Sequence, residues 1–168
     1  GKKIGIIGVG NIGKKIFEML QGFNTINFGN DLKKMDKRFL SKFKIKMKSK
    51  NYLYKNCDVI ILATNLNKYS YKLINKNSIK QFQKNPLIIN IARGGVIDNM
   101  ALVNALRLNK IRGACLDVYE KEPIEKNSSL KRFNNCILTS HNAFNTKNEV
   151  EFVHENTLKN IFKGLNLS

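Results

Sequence analysis

The chain contains no tryptophan, two prolines, two histidines and three cysteines in 168 residues, and 12 acidic residues stand against 30 basic ones. Each scarcity excludes something. With prolines only at Pro86 and Pro123 there is no proline-rich linker, and no Gly/Ser tract or internal repeat divides the chain, so one domain is expected. No apolar run approaches the roughly 18 residues of a membrane-spanning helix. The longest candidates are Val59–Ala63 and Leu87–Ile89, so no membrane partner is expected. The first apolar run is short and cut by glycines, unlike a secretory signal. Cys57, Cys115 and Cys136 are odd in number, lie in or beside apolar stretches and show no metal-ligand spacing. Buried thiols in a reducing, cytoplasmic setting are expected, with no metal site.

The shortage of acids leaves a formal net charge of +18. Such a charge can serve nucleic-acid binding by neutralising phosphates. The distribution argues against that partner. Lysines are scattered along the whole chain among many asparagines, arginines are few, and no aromatic-basic interleaving is present. The densest run, Lys42 to Lys50, alternates with Phe43, Ile45 and Met47, which reads as a half-exposed strand with a lysine face. The positive field can still draw in an anionic cofactor or substrate.

What the chain does have stands in its first thirty-one residues. Ile4-Gly5-Ile6-Ile7-Gly8-Val9-Gly10-Asn11-Ile12-Gly13 is an apolar run feeding into G-x-G-x-x-G, and Asp31 follows eighteen positions after Gly13. A bare G-x-G-x-x-G is a weak signal, but this one has the strand-turn-helix-strand-acid context of a dinucleotide site. Gly8 permits a tight turn, Gly10 lets a pyrophosphate approach the backbone, and Gly13 lets helix and strand come close. The helix start offers free N–H groups and a positive dipole end. The bland alternative is a glycine-rich turn with no ligand.

Strand and helix signals then alternate, which predicts a parallel sheet with helices on both faces. Strands are expected at Ile4–Val9, Thr25–Gly29, 43–47, Val59–Leu62, Leu87–Ile91, Ala114–Leu116 and Cys136–Leu138. Helices are expected from Asn11 to about Gln21, with Ile12, Ile16, Met19 and Leu20 as the apolar stripe, and over Leu32–Leu40. Two more are expected over Asp98–Leu108, with Asp98 as N-cap, and from Glu149 to Phe162 with Gly164 as the stop.

Three segments carry residues that core formation does not explain. Arg93 stands at the carboxyl end of a buried strand, the edge where open parallel sheets bind ligands. Asp117, Glu120 and Glu122 follow another strand, and His141 follows the last. Arg, Glu and His at three strand ends could converge on one ligand.

These motifs resemble the NAD-binding domain of the D-isomer-specific 2-hydroxyacid dehydrogenases. The resemblance covers Gly5–Gly13, Asp58 through Leu66, Ser70 and Leu73-Ile74, Asn90–Asp98, Gly113–Pro123, Ser140–Ala143 and Glu155-Asn156. It implies a doubly wound parallel α/β sheet, the Rossmann dinucleotide-binding fold, with NAD as cofactor and a small 2-oxo or 2-hydroxy acid as substrate. It implies Arg93, Glu122 and His141 as the catalytic set. Around the first glycines it implies cofactor contacts from Gly8, Gly10, Asn11, Ile12, Gly13 and Asp31, the last on the adenosine ribose. Further along it implies contacts from Thr64, Asn65, Ser70, Ile91, Ala92, Arg93, Asp117 and His141, with Asp117 on the nicotinamide carboxamide.

The chemistry suits those residue types. Histidine can pass a proton to a ketone oxygen as hydride reaches the carbon. A neighbouring Glu122 favours the protonated imidazole. Arg93 can hold a carboxylate and carbonyl oxygen together as lysine would not. Glu120 is the local competitor for Glu122, and His154, in the expected last helix, reads as surface or core. Ser70 reads equally as a cofactor contact or a helix N-cap. Asn65 and Ser140 stand where the family commonly has proline, which relaxes the backbone near His141.

The family's substrate-binding domain has no counterpart in residues 1–168, and 149–164 is expected to cross back to it. A homodimer is expected of the full-length protein. A dinucleotide-sensing regulator on the same fold, as in the family's co-repressor branch, is the alternative function, because fold alone does not assign one.

Overall fold

The computed structural model describes residues 1–142 and 146–165. Strand β1 (Lys3–Ile7) carries an apolar run with both faces covered, as a strand inside a parallel sheet requires. Around it lie β2 (Ile26–Asn30), β3 (Ile45–Met47), β4 (Val59–Leu62), β5 (Leu87–Asn90), β6 (Gly113–Leu116) and β7 (Cys136–Leu138). The sheet order is β3-β2-β1-β4-β5-β6-β7, and all six pairings are parallel. The doubly wound sheet expected from the sequence is therefore present.

Strand order reverses between β1 and β4, so the loops after those two strands part and leave a crevice. Among the described residues, five α-helices connect strands, α1 (Asn11–Met19), α2 (Lys37–Lys42), α3 (Lys50–Asn56), α4 (Lys76–Ile79) and α5 (Asn99–Arg107), and α6 (Lys147–Gly164) follows β7. The pleat divides the core. Ile60 and Leu62 of β4 join Leu53, Ile88, Leu102 and Ala114 on one face, while Ile61 joins Ile6, Val9, Phe17 and Ile45 on the other. Asp98 caps α5 by accepting from the Ala101 N–H, as expected. Among the described residues no helix is long and apolar enough to cross a membrane.

Four local expectations need correction. In α1 the buried residues are Gly13 and Phe17, while Ile12 and Met19 are exposed. Gly13 lies against the Gly8 carbonyl, and that contact, rather than the apolar stripe, sets which side of the helix meets the sheet. The helix expected over Leu32–Leu40 begins only at Lys37, because the Asp36 carboxylate caps it by accepting from the Arg38 N–H. Helices α3 and α4 were not foreseen: each is short, with too few apolar residues to show a period, and their caps Ser49 and Asn75 are the legible signals. Of the three thiols only Cys57 is buried, and burial first, then Asp58, pushes its pKa up to about 12. Cys115 and Cys136 are half-buried.

Candidate active site

The glycine turn is built from close approaches. Gly8 has φ +97°, where a side chain is strained, and a Cβ there would lie 2.5 Å from the Ala63 carbonyl oxygen. Its N–H donates to the Asn30 carbonyl at 2.9 Å, which joins the ends of β1 and β2. Gly10 is the opposite case: a Cβ would meet nothing within 4 Å. That bare backbone faces the crevice immediately before α1, whose cap residue supplies no side-chain acceptor. The first N–H groups of Asn11, Ile12 and Gly13 form the helix N-terminus that suits a pyrophosphate.

Asp31 lies just past β2 and is fixed to this turn. Its Oδ2 accepts the Val9 N–H at 2.7 Å and its Oδ1 the Lys33 N–H at 2.8 Å. Each oxygen keeps accepting capacity for a hydroxyl. Gly8, Gly10, Asp31, Lys33, Lys50, Thr64, Asn65 and Ser70 line one cleft of about 270 Å³. Open backbone at Gly10, an uncapped helix start and an anchored carboxylate fit a dinucleotide.

Ser70 is not a helix N-cap; Asn75 caps the helix that follows. It is buried, its Oγ donates to the Asn65 carbonyl at 2.6 Å, and that Oγ accepts the Asn67 N–H at 2.8 Å. The hydroxyl braces the turn that carries Thr64 and Asn65, the position without proline.

The other end of the crevice is made by the ends of β5, β6 and β7. Asn90, 1% exposed, organises the first. Its Oδ1 accepts the Ala92 N–H at 3.0 Å and its Nδ2 donates to the Arg93 carbonyl at 3.1 Å. Ile91 is half-buried and Ala92 buried, while Arg93 is exposed, with Nη1 donating to the Ala92 carbonyl at 2.7 Å. Gly94 then touches the peptide between Tyr119 and Glu120 so closely that a Cβ has no room. The arginine turn and the glutamate turn thus rest on each other.

After β6, Asp117 is nearly buried and its Oδ1 accepts the Thr139 hydroxyl at 2.6 Å. Glu122 Oε1 accepts the Tyr119 N–H at 2.9 Å, and its Oε2 lies 2.7 Å from His141 Nδ1. The hydrogen bond to His141 first, then the Tyr119 amide, hold the Glu122 carboxyl below its ordinary range, with Arg93's charge adding to both. His141 has φ +56°, a left-handed backbone in which non-glycine residues are uncommon and which clusters at functional sites. A recess of about 500 Å³ beside this pair is lined by Tyr119, Pro123, Lys131, Ser140 and Asn142 among others.

Arg93, Glu122 and His141 therefore stand at one sheet edge, and Glu122, not its competitor Glu120, faces the histidine. His154 is exposed on α6, apart from this network. Ala143 lies outside the described residues. Sequence reading missed Asn90, Tyr119 and Thr139 as organisers of the site. Only Asn90 gave a signal, as an amide ending an apolar strand.

Comparison with known proteins shows the family and the fold. Residues 1–143 match the family model described as D-isomer specific 2-hydroxyacid dehydrogenase, NAD binding domain. The chain is 40% identical over 143 residues to a glyoxylate reductase of Pyrococcus horikoshii, covering 84% of this chain and 42% of that protein. It is 37% identical over 172 residues to an aromatic 2-oxoacid reductase of Clostridium sporogenes, covering 94% and 51%. A D-lactate dehydrogenase of Aquifex aeolicus, solved with NAD and lactic acid, superposes with a TM-score of 0.88 at 27% identity, covering 98% of this chain and 54% of that one. The chain thus spans about half the length of the relatives it matches. With its glycine turn, its parallel sheet and this match along 143 residues, the chain belongs to the D-isomer-specific 2-hydroxyacid dehydrogenase family, as the NAD-binding domain.

Proposed function

We propose that the complete protein is an NAD-dependent oxidoreductase that interconverts a small 2-oxo acid and its D-2-hydroxy acid, and that residues 1–168 are the NAD-binding domain of it. The observation that carries this reading is the 2.7 Å contact of His141 Nδ1 with Glu122, on the sheet edge that also holds the glycine turn. An ionised glutamate only accepts hydrogen bonds, so Nδ1 carries a proton and Nε2 is the atom that gains or loses one. When bound, the nicotinamide supplies or takes up the hydride. His141 gives its Nε2 proton to the substrate carbonyl oxygen in reduction and takes it back in oxidation. Glu122 holds the ring's orientation through the Nδ1 contact. Arg93 grips the substrate carboxylate.

At the other end Asp31 receives the ribose hydroxyls, which favours NAD over its 2′-phosphate, while Lys33 and Lys50 in the same cleft blunt that preference. Thr64 and Asn65 lie along the cofactor, and Asp117 faces the nicotinamide carboxamide. The intact His141–Glu122 pair favours the enzyme over a dinucleotide-sensing regulator.

The same reading places the protein in the cytoplasm, as a homodimer, with no nucleic-acid partner. Its lysines support the last point. They are scattered along the whole sequence among many asparagines, and arginines are few. Sedimentation of the complete protein checks the dimer.

Calorimetric titration of this chain with NAD should show binding, while glyoxylate, hydroxypyruvate and pyruvate with NADH should be reduced poorly by it. A substrate domain is needed to exclude water and orient the acid. Turnover belongs to the complete protein, and its failure on every 2-oxo acid tested would overturn the reading.

A further inference from the structure

The turn from Tyr119 to Glu122 is a surface segment. Glu120, Lys121 and Glu122 are exposed, so burial does not fix where the Glu122 carboxylate stands. His141 is on a different strand end, in a left-handed backbone conformation that is uncommon for non-glycine residues. Something must set the distance between an exposed carboxylate and a half-buried imidazole on separate turns.

Tyr119 touches both sides of that gap. Its backbone N–H donates to Glu122 Oε1 at 2.9 Å. Its phenol reaches across to the end of β7, with the oxygen 2.6 Å from the Thr139 carbonyl and 3.1 Å from the Leu116 carbonyl. A phenol has one proton to donate, and the shorter contact takes it. Thr139 stands two residues before His141, and its hydroxyl is bound to Asp117. One tyrosine therefore ties the turn holding Glu122 to the chain that presents His141.

We propose that Tyr119 is a positioning residue: its phenol on the Thr139 carbonyl and its amide on Glu122 together set the spacing of the Glu122–His141 pair. The phenol is kept a donor, because burial first and then the charges of Asp117 and Glu122 raise its pKa. The carbonyl, which can only accept, gives it no alternative role. This inference rests on the reading of His141 and Glu122 as acid and partner, but its test reads their geometry and not turnover, so either can fail while the other stands.

The test uses this chain, which contains the whole network, with carbon-13 label in the glutamate carboxyls. The Glu122 carboxyl resonance is followed through an acid titration in the parent chain, in Tyr119→Phe and in His141→Asn. Tyr119→Phe keeps the ring and the amide and removes only the phenol. The expected result is a Glu122 midpoint moved upward in Tyr119→Phe, part of the way to that of His141→Asn, with amide resonances outside the β6 and β7 ends unchanged. A midpoint equal to the parent's, alongside a raised one in His141→Asn, overturns the proposal. A second measurement needs no variant: the Tyr119 hydroxyl proton in the parent chain should exchange slowly and show proximity to Thr139. A hydroxyl exchanging at the solvent rate overturns it as well.

Discussion

The two ends of the crevice are built from opposite materials. At the dinucleotide end the working parts are backbone: a glycine at φ +97°, a glycine with open space around it, an uncapped helix start and a carboxylate pinned by two amides. At the chemical end they are side chains: Glu122 and His141 hold each other, a tyrosine and a threonine stand behind them, and Arg93 adds its charge from the neighbouring turn. A backbone site cannot be altered without altering the fold that shapes it. A side-chain site can lose its reactivity and leave the fold intact. Changes at the first end should therefore show in stability and binding together, and changes at the second in rate alone.

The sharpest way to break this contrast is Gly8→Val. A strained φ costs about 1–3 kcal/mol and the Ala63 carbonyl leaves the side chain no room. Thermal melting should fall by about 5 °C or more, with NAD binding lost in the same variant. A stable Gly8→Val chain that binds NAD normally would refute the account of the turn. Next comes His141→Asn in the complete protein, where kcat should fall about 10²–10⁴-fold, the usual worth of general acid catalysis. NAD affinity and melting temperature should stay near those of the parent. A near-normal rate would make the histidine structural.

Asp31→Asn tests whether the anchored carboxylate is as much a part of the fold as of the site. An amide offers one accepting oxygen in place of two, so either the Val9 or the Lys33 N–H loses its partner. NAD binding should weaken about tenfold, the equivalent of about 1.4 kcal/mol, and NADP binding should weaken less. Calorimetry with both dinucleotides reads the difference, and an equal loss for both would remove Asp31 from the ribose.

The smallest effect is a matter of pH. Glu122 is held below its ordinary range in the folded chain, so it binds fewer protons folded than unfolded between the two values. Its stabilising share is complete above the ordinary carboxylate pKa and is lost as pH falls through the lowered one. The stability gap between the parent and Glu122→Gln should be constant near neutrality and close on acidification. Solvent screening of this exposed pair keeps the gap small. A gap that widens toward acid would reverse the sign of the coupling.

Much of this was legible in the sequence, and unevenly so. The sheet showed itself because parallel strands are dense apolar runs, and both the buried Val59–Leu62 and the edge strand Cys136–Leu138 were read to the residue. The glycine turn was legible because missing side chains at fixed spacing are themselves a pattern. The short helices were not: Lys50–Asn56 buries Leu53 and Tyr54, two adjacent residues that make no period. The orientation of α1 was missed because Gly13, the residue that decides it, adds nothing to an apolar stripe. At the chemical end Arg93, Glu122 and His141 could be named from their motifs. Tyr119 and Thr139 could not, since their work lies in reaching across strands that the linear order separates by about twenty positions.

The all-parallel order of the sheet has a consequence for how the chain comes together in time. No two neighbouring strands here can zip up as a hairpin, since every parallel pairing needs a crossover. The bond from the Lys3 amide to the Asp58 carboxylate, at the β1–β4 seam, closes over 55 residues. One lip of the crevice is made at Gly8 and the other at Thr64, so on a ribosome the glycine motif emerges first and waits for its counterpart. Sequence-distant pairings of this kind slow folding. A dinucleotide lying across both lips gains its full set of contacts only after β4 has been inserted beside β1.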